Sequence, residues 1–184
     1  MSAVTSASRP FVVHATKLRR SPGSRWHEVR RGPLHGLTSQ ASAVPEDSEV
    51  EADVVLEAVS GGIAVTGTVR AGWTGACGRC LAAAAGALEV PVREHYTEGG
   101  DGEDMYPLRE GDVDLEPLVR DAVLLELPQA PLCRPDCRGL CPVCGADRNT
   151  DPCRCEPPRD YRWRALEALY PPGPGEGEGS TGAG

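Results

Sequence analysis

Six cysteines lie between residues 133 and 155 of this 184-residue chain, at the spacing C-x3-C-x3-C-x2-C-x8-C-x-C. Thiols this dense bind a metal, form disulfides or exchange electrons. The stretch "CPVCG" (141–145) has the form of a zinc knuckle. Two thiolates two residues apart grip one ion, and the glycine lets the chain turn so that backbone amides face the sulfurs. A tetrahedral site needs a second pair. Cys153 and Cys155 return after the short loop "GADRNTDP", while Cys133 and Cys137 compete for the same place. The expectation is one zinc on Cys141, Cys144, Cys153 and Cys155, with Cys133 and Cys137 as alternates. The spacings match neither ferredoxin pattern. The competing reading is a set of reduced, partly buried thiols without metal.

"CGRC" (77–80) is a separate pair. C-x2-C is also the thioredoxin-like motif, but that motif belongs at a strand-to-helix turn of a βαβ unit. Here it follows an antiparallel hairpin pattern, so Cys77 and Cys80 are a possible second thiol pair. They could serve redox chemistry, a second metal site or packing at a strand end. The phosphate-binding loop, the nucleophile elbow and H-E-x-x-H are all missing, and His14, His27, His35 and His95 are scattered. No catalytic residue is expected, and no small-molecule substrate.

The start of the chain lacks an apolar run behind a basic one, so no secretory signal is expected. No apolar stretch approaches the ~20 residues of a membrane span. The expected compartment is the cytoplasm, where thiols stay reduced and metal ligation is favoured over disulfides. The net charge of −8 is unevenly spread. Residues 1–44 carry +6, residues 45–131 carry −13, and residues 132–166 carry +2. A polyanion partner would therefore meet the ends of the chain and not its middle. The candidates for RNA contact are Arg19, Arg20, Arg25, Arg30, Arg31, Arg138 and Arg148, followed by Arg154, Arg159, Arg162 and Arg164. Simple solvation of the basic N-terminal segment explains its charges as well.

The elements that must position these residues are legible as periodicities. "FVVHATKL" (11–18) predicts a short strand, and 32–47, rich in Gly, Ser, Ala and Pro, predicts a linker. "VEADVVLEAV" (50–59) alternates, placing Val50, Ala52, Val54, Leu56 and Ala58 on one face. "GG" at 61–62 signals a hairpin turn into a return strand over 63–73 with Ile63, Val65, Val69 and Ala71 inward. A third strand follows at 87–96, where Pro91 suits an edge. Asp114 caps a predicted helix over 114–127 with Leu115, Leu118, Val119, Ala122 and Leu125 on its buried stripe. Residues 1–10 and 171–184 read as disordered, and 160–170 as a short closing helix.

Together, "GGIAVTGTVRAGWTGACGRCL", "DVDLEPLVRDAVLLELPQAPLC" and "CRGLCPVCGADRN" resemble the YceD family of large ribosomal RNA subunit accumulation proteins, over roughly residues 10–170. The resemblance implies a non-enzymatic role in synthesis, processing or accumulation of large-subunit rRNA. It implies as partners rRNA or pre-rRNA and/or a ribosomal protein, with no membrane. Zinc would staple the C-terminal segment onto the domain. The alternative is a zinc-containing adaptor whose acidic loop (98–116) binds a basic ribosomal protein, and a weaker one is a thiol oxidoreductase using Cys77 and Cys80. The expected fold class is α+β: an antiparallel sheet of three to five strands packed by one core helix, with a small C-terminal Cys-rich zinc module. The expected division is a domain over 11–131 with a basic N-terminal arm, a cysteine module with closing helix over 132–170, and the two tails.

Overall fold

The structure, a computed structural model, describes residues 9–100, 105–151, 153–156 and 162. The expected disorder of 1–8 and 171–184 falls outside these residues, as does the closing helix at 160–170 apart from Arg162. The elements run β1 (Val12–His14), α1 (Thr16–Arg19), β2 (Arg25–Pro33), β3 (Ser42–Ala43), β4 (Glu49–Val59), β5 (Gly62–Ala76), β6 (Ala83–Thr97), β7 (Tyr106–Pro107), β8 (Asp112–Asp114) and α2 (Glu116–Glu126). The chain divides into two compact units, Met1–Gly139 and Leu140–Gly184.

The central hairpin follows from alternation. On β4, Val50, Ala52, Val54, Leu56 and Ala58 are all buried, and on β5 so are Ile63, Val65, Val69 and Ala71. Val59 pairs with Gly62, so the two-residue turn is Ser60–Gly61 and not the glycine pair itself. Gly61 takes φ +87°, and a Cβ on Gly62 would lie 1.9 Å from the Tyr96 carbonyl oxygen. Each glycine is thus required for a different reason. The sheet has six strands in the order β2-β4-β5-β6-β7, with β3 paired to the far end of β5. This exceeds the three to five strands expected. β1 and β8 form a separate antiparallel pair.

Three sequence expectations fail locally. "FVVHATKL" is not one strand: Phe11, Val13 and Ala15 alternate inward, then Leu18 follows at helical spacing on α1. Helix α2 is therefore not the only helix: it packs on β5 and β6, while α1 packs on β4. Residues 32–47 are not a linker, because Leu34, Leu37, Ser42 and Val44 are buried. The Ser42 hydroxyl donates to the Pro128 carbonyl at 2.8 Å, which pins this loop behind α2. Finally, the buried stripe of α2 is Leu118, Val119 and Val123, continued by Leu115 and Leu127 on either side. Leu125 was expected on that stripe and is 84% exposed. The row at i, i+4 (115, 119, 123, 127) is the one that meets the sheet, and this row turns away from the 118–125 heptad step.

The helix is tied at its start as well. Leu115 N–H donates to the Phe11 carbonyl (2.9 Å), and Tyr96 Oη donates to the Asp114 carbonyl (3.0 Å). Tyr106 stacks on Tyr96 with ring centroids 5.2 Å apart and donates its hydroxyl to Asp121.

The charge asymmetry is resolved by register. β2 pairs antiparallel with β4, setting Arg25 opposite Glu57 and Arg31 opposite Glu51. Both pairs are ion pairs, at 2.9 and 2.5 Å. His27 reaches Asp53, Arg30 pairs with Glu28, and Arg19 with Glu98. Arg31 and then Arg70 hold the Glu51 carboxyl below its usual 4.5. Arg25, Arg30 and Arg31 therefore stand on an ordered strand, and Arg19 on α1, each facing a carboxylate, and they do not form a free basic arm. Arg20 has no such partner among the described residues. Exposed cross-strand pairs of this kind are worth about 0.2–1 kcal/mol each.

Replacing Leu118 with Ala should cost about 2–5 kcal/mol in urea unfolding, through lost burial plus a cavity. Leu125→Ala should stay within about 0.5 kcal/mol of the parent, because its side chain is already in water.

Candidate metal centres

The eight cysteines gather into two sets of four. Cys77, Cys80, Cys133 and Cys137 form one, and Cys141, Cys144, Cys153 and Cys155 the other. Within each set the sulfurs lie within 4.8 Å of one another. In the first, Cys77 Sγ is 3.8 Å from Cys137 Sγ, and Cys80 Sγ is 3.6 Å from Cys133 Sγ. Four sulfurs placed about 2.3 Å from a central ion form a tetrahedron with edges of about 3.8 Å. The donor set and its spacing therefore fit a four-coordinate thiolate metal site.

The first cluster belongs wholly to the first unit. Cys77 and Cys80 sit at the tip of the β5–β6 hairpin, and Cys133 and Cys137 arrive after α2. Gly78 N–H donates to the Pro131 carbonyl at 2.8 Å, docking the tip on that trailing segment. Arg79 donates to the Cys137 carbonyl at 2.9 Å. Cys77, Cys80 and Cys137 are buried, and Cys133 is exposed. Cys133 and Cys137 are thus partners of Cys77 and Cys80 and not alternates for the knuckle at 141–144. The division of the chain falls inside the expected 132–170 module, between Gly139 and Leu140.

The second cluster belongs wholly to the second unit and is more open. Cys141 is buried, Cys153 intermediate, and Cys144 and Cys155 exposed. Arg148 lines the small hollow beside Cys141, Cys153 and Cys155.

Both knuckles use one backbone design. Cys77 N–H donates to the Ala82 carbonyl and Cys141 N–H to the Ala146 carbonyl, each at 2.8 Å. Leu81 N–H returns to the Cys77 carbonyl and Gly145 N–H to the Cys141 carbonyl, each at 2.9 Å. The fifth residue is left-handed in both, with φ +63° at Leu81 and +73° at Gly145. The sequence hides this equivalence because the first knuckle carries Leu81 where the second has glycine. The signal that could have pointed to it is the shared C-x2-C pair alone.

The electrostatics of the two sites also match. Backbone N–H groups of Cys133, Arg79 and Cys80 face the Cys77 sulfur and lower its thiol from 9.0 to about 6. Backbone N–H groups of Cys144 and Val143 do the same for Cys141, again to about 6. Crowding by neighbouring sulfur acts the other way at Cys133 and Cys155. Cys133 rises to about 12, mainly through Cys80, and Cys155 to about 12, mainly through Cys144. Each site thus sets a lowered thiol beside a raised one, and a bound cation would favour the thiolate form of both.

Comparison with known proteins places this arrangement. Residues 65–170, which contain all eight cysteines, match the family described as "Large ribosomal RNA subunit accumulation protein YceD". An uncharacterized protein of Mycobacterium tuberculosis is 33% identical over 172 residues, covering 89% of this chain and 83% of its own. An uncharacterized protein of Mycobacterium leprae is 32% identical over 171 residues, covering 89% of this chain and 79% of its own. A Zea mays protein named "Large ribosomal RNA subunit accumulation protein YCED homolog 1, chloroplastic" is 38% identical over 53 residues, 28% of this chain and 18% of its own. No solved structure matches.

Elemental analysis after reducing, chelator-free purification should find two metal ions per chain, with Cys77→Ser and Cys141→Ser each losing one. Ligation displaces protons from the thiols, so metal occupancy should fall as the solution is acidified. Leu81→Gly should stabilise the protein by about 1 kcal/mol in urea melts, since it relieves a left-handed backbone at an exposed side chain.

Proposed function

Because the chain belongs to the YceD family of large ribosomal RNA subunit accumulation proteins, we propose that it supports the synthesis, processing or accumulation of large-subunit ribosomal RNA in the cytoplasm, as an accessory factor without catalytic chemistry of its own. The observation that carries this reading is the family match over residues 65–170, the span of the β5–β6 hairpin, α2 and both cysteine clusters.

The metal in this reading is zinc at both clusters. Four thiolates favour a soft tetrahedral ion and leave no open coordination position, which is the form of a structural site. The first ion would fasten the hairpin tip to the chain beyond α2, closing a loop of some sixty residues (77–137). The second would hold together residues 141–155. Each tetrathiolate zinc centre carries a charge of −2. Arg148, beside the second cluster, then serves as its counterion.

A second reading of how the protein acts is as an adaptor that reaches the RNA through another protein. The ion pairs favour it: Arg19, Arg25, Arg30 and Arg31, the residues suited to phosphate contact, already face carboxylates. The acidic segment 98–116, which carries β7 and β8 and ends at the start of α2, would supply the contact to a basic ribosomal protein.

Cells lacking the protein should show a lowered ratio of large- to small-subunit rRNA, restored by the parent gene. An unchanged ratio would count against the ribosomal role. RNA crosslinking of an Arg19, Arg20, Arg30 and Arg31→Ala variant separates the two routes. Direct contact predicts weaker crosslinking and a salt slope flattened by about 0.7 per lost phosphate contact on single strands. The adaptor route predicts no change.

A further inference from the structure

We propose that the free edge of β6, together with the groove between β6 and α2, takes up an extended basic segment of a partner protein as an added strand. β6 runs over Ala83–Thr97, but β7 pairs with it only at Tyr96 and Thr97. Among the described residues, no strand pairs with that edge over 83–95. The Cys77 N–H to Ala82 carbonyl bond sets the alternation of the β5–β6 ladder. Even-numbered residues of β6 then turn their backbone groups toward β5, and odd-numbered residues turn theirs to the open edge. Thr97 obeys this pattern, since its carbonyl accepts from Gly100 and Leu108 on the outer side. Pro91 falls at an outward position, where its missing N–H breaks no bond to β5. Glu89 and Arg93 supply the flanking donors.

The groove beside this edge has a volume of about 640 Å³ and is lined by Val90, Val92, Leu118, Ala122 and Leu125. Leu125 is 84% exposed, with Leu124 and Met105 exposed nearby. The covering helix thus carries apolar surface for one strand more than the sheet contains. β7 already occupies that strand position for two residues, parallel to β6. A segment continuing its track would send alternate side chains into the groove and the rest to solvent, the geometry of strand addition. The occupant's charge follows from the rim, where Glu94, Asp121 and Glu126 outnumber Arg93. An alternating apolar and Lys/Arg segment complements both the groove and its rim. This inference stands on the sheet edge and holds whether or not the chain acts on ribosomal RNA.

The probe is a fluorescein-labelled peptide of about nine alternating valine and lysine residues, titrated with the full metal-loaded chain and read by anisotropy. A valine–glutamate peptide of equal length is the control. The lysine peptide should bind at least about tenfold more tightly than the glutamate peptide, and Leu125→Arg should weaken it about tenfold. Glu126→Lys, a second exposed change, should also weaken it. N-methylation of one alternate set of peptide amides should abolish binding, while methylation of the other set leaves it intact. Equal affinity for the two peptides, indifference to Leu125→Arg, or indifference to which amides are methylated would overturn the proposal. So would self-association of the parent chain that Leu125→Arg abolishes, because a second copy would then fill the edge.

Discussion

Four thiols held within 4.8 Å of one another cannot all ionise unless a cation stands among them. The first such cluster is the constraint on which the larger unit depends. It joins the tip of its two longest strands to the chain that leaves α2. The start of the helix is separately held, by Phe11 beneath Leu115 and by Tyr96 against Asp114. With the trailing segment fastened to the hairpin tip and the Ser42 loop bonded to Pro128, α2 is held at both ends across the inner face of the sheet. A core poor in aromatic residues and built from Val, Leu and Ala would gain from a metal clamp at that cluster. Closing a long loop removes more unfolded-state entropy than closing a short one.

Charge acts in this molecule mainly as a register device. A basic strand lies beside an acidic one, and Arg25 and Arg31 stand directly opposite Glu57 and Glu51. A one-residue slip would carry every one of these side chains to the other face and bury charge against Val50, Val54 and Leu56. The pairs add little stability individually, yet they agree with the hydrophobic alternation of β4. They also spend the positive charge of the N-terminal segment inside the fold. A reading of that segment as a polyanion arm depends on charges that the second strand has already answered.

The edge of the sheet is managed unevenly. Pro91 and Glu89 discourage indiscriminate pairing along β6, the usual protection of an exposed strand. The helix next to them does the opposite and presents Leu125 and Leu124 to solvent. Protection of the backbone combined with an apolar side-chain track favours a partner selected by its side chains over any strand that happens to pass.

The sequence by itself determined what depends on near neighbours. Alternation in 50–59 and 63–71 identified the inward faces of β4 and β5, and "CPVCG" identified a knuckle whose glycine announces its own turn. The i, i+4 pattern located α2, though the i+7 step to Leu125 misled, because only the sheet's position decides which row of a helix is covered. Tertiary structure alone decided the rest. The partners of Cys77 and Cys80 lie more than fifty residues away, so no local spacing pairs them. Leu81 occupies a left-handed position that looks ordinary in a sequence, because the strain is visible only in φ. The buried anchors of 32–47 sit among Gly, Ser and Pro that read as linker, since the bonds that hold the segment, Ser42 to Pro128 and Arg120 to the His35 carbonyl, join it to residues some eighty positions away. A local pattern records what a residue prefers, but which thiols share an ion and which charges cancel depends on distances that exist only after the chain has closed on itself.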